Sequence, residues 1–424
     1  MSQVSTIEIF GTVCFALALI HTFMVGRFQK LANRFPSGSI PENLFHLLGE
    51  VEVTFGLWAA VFLLFYASVN GSDAATDYLN TRHFTEAAFV FVIMAVCSTR
   101  PILEFARAAI AFFARALPLP RQMASYVTIT TLGPLLGSFI TEPAAMTVTA
   151  LLLIDAVFKH SKSLKFKYAT IGLLFVNVSI GGTLTPYAAP PVLMVAGKWN
   201  WDLAFMLQNF GWKAILCCIL SSVVTMFVFK KELLALPNGE KEDRTEKRLP
   251  AWITVLHFIF LFAIVVTHKH ITVFLGIFLF FMGLYNVTRE YQHSMRLREG
   301  LLVGFFLGGL VILGEPQTWW LEPVIMSLDS LQLYLGAIAL TSITDNAALT
   351  FLGSQISGLS EVSRYGLVAG SVVGGGLTVI ANAPNPAGYG LLNSYFGKNG
   401  IQPLWLTVAA IPFTLMAGVI FWFL

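Results

Sequence analysis

Two stretches of this chain carry the same phrase. Ile140-Thr141-Glu142-Pro143-Ala144-Ala145-Met146-Thr147 returns as Ile343-Thr344-Asp345-Asn346-Ala347-Ala348-Leu349-Thr350. Each copy sets one carboxylate beside a hydroxyl inside a strongly apolar segment. An ionisable group at membrane depth is costly, and where it occurs it is usually functional. Each copy is also followed by a Gly-rich interruption: Gly181-Gly182-Thr183-Leu184-Thr185-Pro186 after the first, Gly374-Gly375-Gly376-Leu377-Thr378 after the second. Duplicated interruptions of hydrophobic segments mark a chain built as two related halves, with helices that stop partway.

The segments between these phrases are those of a polytopic membrane protein. Of 424 residues, 56% are hydrophobic and 12% charged; soluble domains carry about 25% charge. The apolar runs are long enough for helices crossing roughly 30 Å of hydrocarbon. No alternating pattern of about ten residues recurs, which argues against a β-barrel. Cys14, Cys97, Cys217 and Cys218 lie in apolar runs without metal-ligand spacing and read as packing residues. The first run has no basic leader and no small-residue cleavage site, so it reads as a retained span. The longest polar stretch, Lys230 to Pro250, is too short to hold a core and reads as a cytoplasmic linker over 232–250.

Apolar runs lie at about 8–27, 45–68, 86–100, 168–197 and 204–230, and again at 251–267, 271–287, 299–314, 363–392 and 403–424. Two more, 123–158 and 332–356, are broken in the middle by the repeated phrase. Basic residues orient them. Arg27, Lys30 and Arg34 put the first loop inside, and Asp73 and Asp77 against Arg82 put the next outside. Arg100, Arg107, Arg115 and Arg121 are then inside, as are Lys159, Lys162, Lys165 and Lys167. The segment 123–158 therefore starts and ends on one side. This predicts a re-entrant hairpin of two half-length helices with Glu142 at its turn, tolerated where protein or a water cavity covers the open backbone.

The second half reads in the opposite sense. Lys230, Lys231, Arg244, Lys247, Arg248, Arg289, Arg296 and Arg298 are inside, while Glu315, Glu322 and Asp329 mark an outer stretch. The hairpin at 332–356 then enters from outside, with Asp345 at its turn. The predicted fold is all-α, with two inverted-topology repeats over 1–231 and 251–424. Each has three spans, a re-entrant hairpin and two further spans, one of them broken at 168–197 or 363–392. Arg100-Pro101 before the first hairpin matches Glu315-Pro316 before the second, and both charges read as structural.

The hairpin tips are the first candidate site. A half-helix ends and another begins at each, presenting carbonyls on one side and free N–H groups with a positive dipole end on the other. Thr141, Glu142, Thr344, Asp345 and Asn346 add side-chain oxygens. Such a set can coordinate a dehydrated sodium ion, with Glu142 and Asp345 as its charged ligands. The plainer alternative is helix capping, which suits Asp345, since Asp is a favoured cap, better than Glu142. The broken spans are the second candidate. Asn177, Thr183, Thr185, Thr378, Asn382 and Asn385 are polar where a span should be apolar, and Pro384 and Pro386 disfavour helix there. Close packing with proline kinks is the alternative. Glu50 and Glu52, placed in the second span, read as either a proton relay or interfacial residues. Trp199, Trp319 and Trp320 suit an interfacial belt. There is no phosphate-binding G-x-x-x-x-G-K-[ST] loop, no nucleophile–base motif and no metal-ligand cluster in the sequence. Neither enzymatic chemistry, nor a cofactor, nor a nucleic-acid partner is expected.

At the two tips and the two Gly-Thr-Pro breaks the chain resembles the ion transporter superfamily, which includes sodium/proton antiporters, arsenite efflux permeases and sodium–dicarboxylate symporters. More closely, it is similar to a bacterial family of sodium/proton antiporters. The motifs are Ile-Thr-[Glu/Asp] at 140–142 and 343–345 and the breaks at 181–186 and 374–386. The resemblance implies inverted repeats, a scaffold region, a mobile transport region, commonly a homodimer, and residence in the bacterial inner membrane. The dicarboxylate branch has Ser-Asn-Thr at its tips. Here they read Thr-Glu-Pro and Thr-Asp-Asn, closer to the antiporter and arsenite branch.

Three readings follow. In a sodium/proton antiporter, sodium and protons compete for the tip carboxylates, because burial disfavours the charged carboxylate and a nearby cation favours it. In a sodium-coupled anion symporter, the tips hold sodium, while N–H groups with Asn177, Asn382 and Asn385 hold the anion; acidic tips argue against this. A non-transporting scaffold or receptor would have no use for duplicated polar breaks.

Overall fold

The computed structural model describes residues 4–237, 248–397 and 399–424. Part of the predicted linker, with Arg244 and Lys247, lies outside the described residues. Secondary structure among the described residues is helical, with no strand. The first half carries α1 (Thr6–Ala32), α2 (Ile40–Leu48), α3 (Val53–Asn70), α4 (Ser72–Asn80), α5 (Thr85–Cys97), α6 (Arg100–Ala116), α7 (Arg121–Ile140), α8 (Glu142–Leu153), α9 (Leu164–Gly181), α10 (Pro190–Trp199), α11 (Leu203–Met206), α12 (Trp212–Val228) and α13 (Lys230–Leu234). The second carries α14 (Ala251–Val266), α15 (Ile271–Val287), α16 (Leu297–Gly314), α17 (Thr318–Met326), α18 (Ser330–Thr341), α19 (Asn346–Ser354), α20 (Glu361–Gly374), α21 (Asn385–Leu392) and α22 (Pro403–Phe423).

Six described stretches are long and apolar enough to cross a membrane: α1, α3, α7, α11 with α12, α16 with α17, and α22. The chain is an all-α, multi-pass membrane protein. Three local expectations change. The run 45–68 is not one span, because Gly49 ends α2, its N–H bonding the Phe45 and His46 carbonyls; a Cβ there would stand 2.7 Å from Gln29 Cγ. Glu50 and Glu52 therefore sit in the turn before α3, outside the helices. The stretch after Arg100, beyond the end of the run 86–100, is a second helix bent 69° from α5. Finally, α7 has 20 residues, about 30 Å at 1.5 Å per residue, so the first arm of the hairpin is full length rather than half.

The chain divides into two compact units, each drawing on both halves. The first comprises Met1–Phe91, Leu297–Asp329 and Phe351–Ser360. Its helices meet at glycines: a Cβ on Gly309 would strike the backbone of Phe55 and Gly56, and one on Gly56 the Phe305 ring. Small residues let membrane helices approach this closely. Charges sit at the helix ends. Glu315 pairs with Arg82, whose guanidinium lies 4.4 Å from the Tyr78 ring centre. Arg298 bonds Glu50 at 2.8 Å.

The second unit comprises Val92–Arg296, Ser330–Thr350 and Glu361–Leu424. Here α7 and α8 form a helical hairpin. Gly133 faces Thr149 and Gly137 faces Ala145, pairs placed symmetrically about Thr141. Beside α7, α9 runs in the same direction, with Asn177 bonding the Thr130 carbonyl at 2.9 Å and Gly181 against the backbone of Pro134. The second half repeats the arrangement: α20 runs parallel to α18, Gly370 meeting the Tyr334 carbonyl and Gly374 that of Ile338. In both halves the helix leading to the repeated phrase thus lies along the helix leading into the Gly-rich break. Helix α9 stops at Gly181 and α10 starts at Pro190; α20 stops at Gly374 and α21 starts at Asn385. Ile180, Leu184, Phe210, Tyr334, Val372 and Phe413 belong to the buried core around these breaks. Arg100 bonds Glu104 at 2.6 Å and the Tyr291 carbonyl at 3.5 Å.

Candidate functional site

Glu142 is the first residue of α8 and is 0% exposed. The turn that delivers it is strained. Thr141 has φ 72° and ψ 149°, a region almost reserved for glycine and costly for a β-branched residue. Pro143 follows, supplying helical φ at a position whose N–H would have no partner in the helix. Glu142 Oε2 accepts a hydrogen bond from Asn382 Nδ2 at 2.9 Å, while Oε1 is buried without a partner. Beneath the carboxylate lies Gly182: a Cβ there would stand 2.9 Å from Glu142 Cδ. Only glycine leaves the carboxylate room.

The second tip is built differently. Asp345 turns its Oδ1 back on its own helix, accepting from the backbone N–H of Ala347 at 2.8 Å and of Ala348 at 3.1 Å. That is an N-cap. It is half-buried, and its charge lies within Coulombic reach of Glu142. Asn346 is fully buried, and both of its side-chain polar atoms lack partners.

The break at 375–384 joins the two tips. Asn382 bonds Glu142, and the Asn346 N–H bonds the neighbouring Ala381 carbonyl at 3.1 Å. Asn385 ties the break together, donating from Nδ2 to the carbonyls of Gly375 at 2.7 Å and Thr378 at 2.8 Å. A Cβ on Gly375 would stand 2.9 Å from Asn346 Nδ2. Helix α9, which leads into the other break, crosses here, since Gly376 lies against the Val176 backbone and Ser179 bonds the Val372 carbonyl at 2.6 Å. On these touching segments the buried oxygens without partners are Thr141 Oγ1, Glu142 Oε1, Thr341 Oγ1, Asn346 Oδ1, Asn382 Oδ1 and Asn385 Oδ1. Buried polar atoms left unpaired are few in native proteins and each calls for an explanation. Unpaired oxygens on segments that carry or contact one buried carboxylate suit a cation.

The remaining predicted residues hold the frame. Asn177 is satisfied on both ends, donating to Thr130 and accepting from Ser221 Oγ at 2.9 Å; it joins α7, α9 and α12. Thr183 bonds its own helix at the Ile180 carbonyl, and Thr344 bonds the Leu340 carbonyl. Thr185 donates to the Ser138 carbonyl at 2.6 Å, and Thr378 to that of Ser342 at 2.8 Å. Each thus fastens a break to the helix before a tip. Three contributors escaped the sequence reading. Ser138 clamps the first break, donating to the Gly181 carbonyl at 2.7 Å and accepting from the Leu184 N–H at 2.8 Å. Thr341 and Gly182, the latter read only as part of a break, are the others. A signal was present for two: Ser138 and Thr341 each stand four residues before a tip carboxylate.

The family model described as "Putative Na+/H+ antiporter" matches residues 6–424, and the chain belongs to that family. No curated protein matches the chain.

Proposed function

We propose that the protein exchanges sodium ions for protons across the bacterial inner membrane, with Glu142 as the group for which the two compete. The observation that carries this reading is the Glu142 carboxylate, wholly buried, with one oxygen on Asn382 and the other unpartnered, while five further unpartnered oxygens lie on the tips, the break and the end of α18. An anion would need donors there. The unpaired set contains three, Asn346 Nδ2 and the hydroxyls of Thr141 and Thr341, against one carboxylate and three amide oxygens that only accept. This weighs against the sodium–anion symporter.

The exchange works through a change at one atom. Without sodium, a proton resides on Glu142 Oε1 and leaves the carboxyl neutral. Sodium takes the place of that proton, drawing on Oε1, Thr141 Oγ1 and the amide oxygens of Asn346, Asn382 and Asn385. The Asn382 N–H bond to Oε2 serves both states, so the carboxylate need not reorient. Asp345, engaged in capping α19, supplies fixed negative charge that favours a cation nearby. The strained turn at Thr141 pre-sets the carboxylate. All these groups belong to one compact unit.

The test is transport in proteoliposomes. A proton gradient read by a pH dye is challenged with sodium, lithium, potassium and several dicarboxylates. Sodium should dissipate the gradient without any added anion, and Glu142→Gln should abolish the response while inserting normally. Wild-type exchange by that variant would overturn the proposal; flux that appears only with an anion would make the protein a symporter.

A further inference from the structure

On the second unit, α9, α12 and α22 leave an open groove of about 730 Å³. Its walls are apolar, among them Ala169, Val224, Val228, Val408 and Pro412. On α22 the lining runs from Gln402 to Phe413, about 16 Å at 1.5 Å per residue. That is the depth of one leaflet of a hydrocarbon core roughly 30 Å thick. The mouth is polar and electropositive. Lys165 lines it, and Lys230 follows Phe229 at its edge. The N-termini of α9 and α22 lie there too, with no acidic residue in either first turn and no side chain capping α22. Helix N-termini carry partial positive charge. The mouth is also the end that the lysines place in the cytoplasm.

We propose that this groove binds an anionic phospholipid of the inner leaflet, one acyl chain lying along α22 and the phosphate at Lys165 and the α22 N-terminus. The depth fits a chain from a single leaflet, and the charge selects the headgroup. Basic pockets between membrane helices on the cytoplasmic side are suited to anionic lipid. The inference is independent of the exchange reaction, since none of the groove residues belongs to the carboxylate site.

Native mass spectrometry of the full chain tests it, using equal amounts of phosphatidylglycerol and phosphatidylethanolamine with matched acyl chains. Phosphatidylglycerol should dominate the adducts. Lys165→Gln should weaken its retention about fivefold, the effect of one lysine near the surface. Ala169→Trp and, separately, Val408→Trp should each fill the groove and remove the adduct, with an unchanged thermal unfolding midpoint in detergent reporting that the variants fold. Equal retention of the two lipids would overturn the proposal. So would adducts that persist in both tryptophan variants at an unchanged unfolding midpoint, or a dimer that excludes lipid from the groove.

Discussion

The most informative perturbation adds one methyl group and removes no charge. In Gly182→Ala the new Cβ would stand 2.7 Å from Glu142 Cγ and 2.9 Å from Cδ. Carbon atoms rest at about 3.5 Å or more, so the side chain must move by roughly 0.6–0.8 Å. The Asn382–Glu142 bond, 2.9 Å long, would stretch to about 3.5 Å, beyond useful hydrogen bonding. The unpaired Oε1 would shift against its neighbours by a similar amount. A hydrogen bond to a charged group contributes about 1.5–3 kcal/mol. Half-maximal sodium in the exchange assay should therefore rise by about 10- to 150-fold, at constant protein level in the membrane. Gly181→Ala is the contrast: its Cβ would stand 2.8 Å from the Pro134 carbonyl, backbone against backbone, so it should lower yield and thermal stability instead. A sodium requirement within twofold of the native value in Gly182→Ala would show that Glu142 does not hold the ion.

Three further outcomes are expected. Thr141→Gly relieves a backbone strain of about 1–3 kcal/mol and should raise the thermal unfolding midpoint in detergent; a lower midpoint would mean the turn is not strained. Asn177→Ala strips the partner from the Thr130 carbonyl, which Pro134 leaves without a helical N–H, at about 1–3 kcal/mol, while Ser221 keeps the Cys218 carbonyl; unfolding should come earlier while half-maximal sodium stays unchanged, and a selective loss of sodium affinity would return Asn177 to the ion site. Sodium affinity should fall as pH drops, by at most about tenfold per pH unit below the carboxyl pKa, or 1.4 kcal/mol, and level off above it. The sign follows from protons occupying the group that sodium needs. Sodium binding flat from about pH 5 to pH 9 would end the competition model.

The repeated phrase was legible because a carboxylate in an apolar segment is conspicuous, and so were the breaks, because glycine and proline punctuate helices. The pairing of α7 with α9 and of α18 with α20 could not be read, since parallel contacts between helices leave no local pattern. Helix length was misread at α7. The bounds 123 and 142 already allowed nearly a full span of helix, but basic residues at both ends of 123–158 pointed to a return to one side and so to short arms. Asn177 was grouped with Asn382 and Asn385 because all three are amides at breaks. Their partners separate them: Asn177 meets hydroxyls and a carbonyl that satisfy it, while Asn382 meets a carboxylate and keeps an oxygen unpaired.

The two copies of the phrase differ where it matters. The short Asp345 side chain reaches the N–H groups of its own first turn, which commits it to capping α19. At the first tip Glu142 is one methylene longer, and its carboxylate lies against Gly182 and Asn382, away from its own helix end. The next position diverges in step. Asn346 has an N–H and uses it to hold the Ala381 carbonyl, which fixes the break that carries Asn382. Pro143 has none, so the start of α8 needs one partner fewer. Two substitutions in a shared eight-residue phrase thus divide the labour. One tip anchors the break, and the other presents to it a buried carboxylate with an oxygen left over for an ion or a proton.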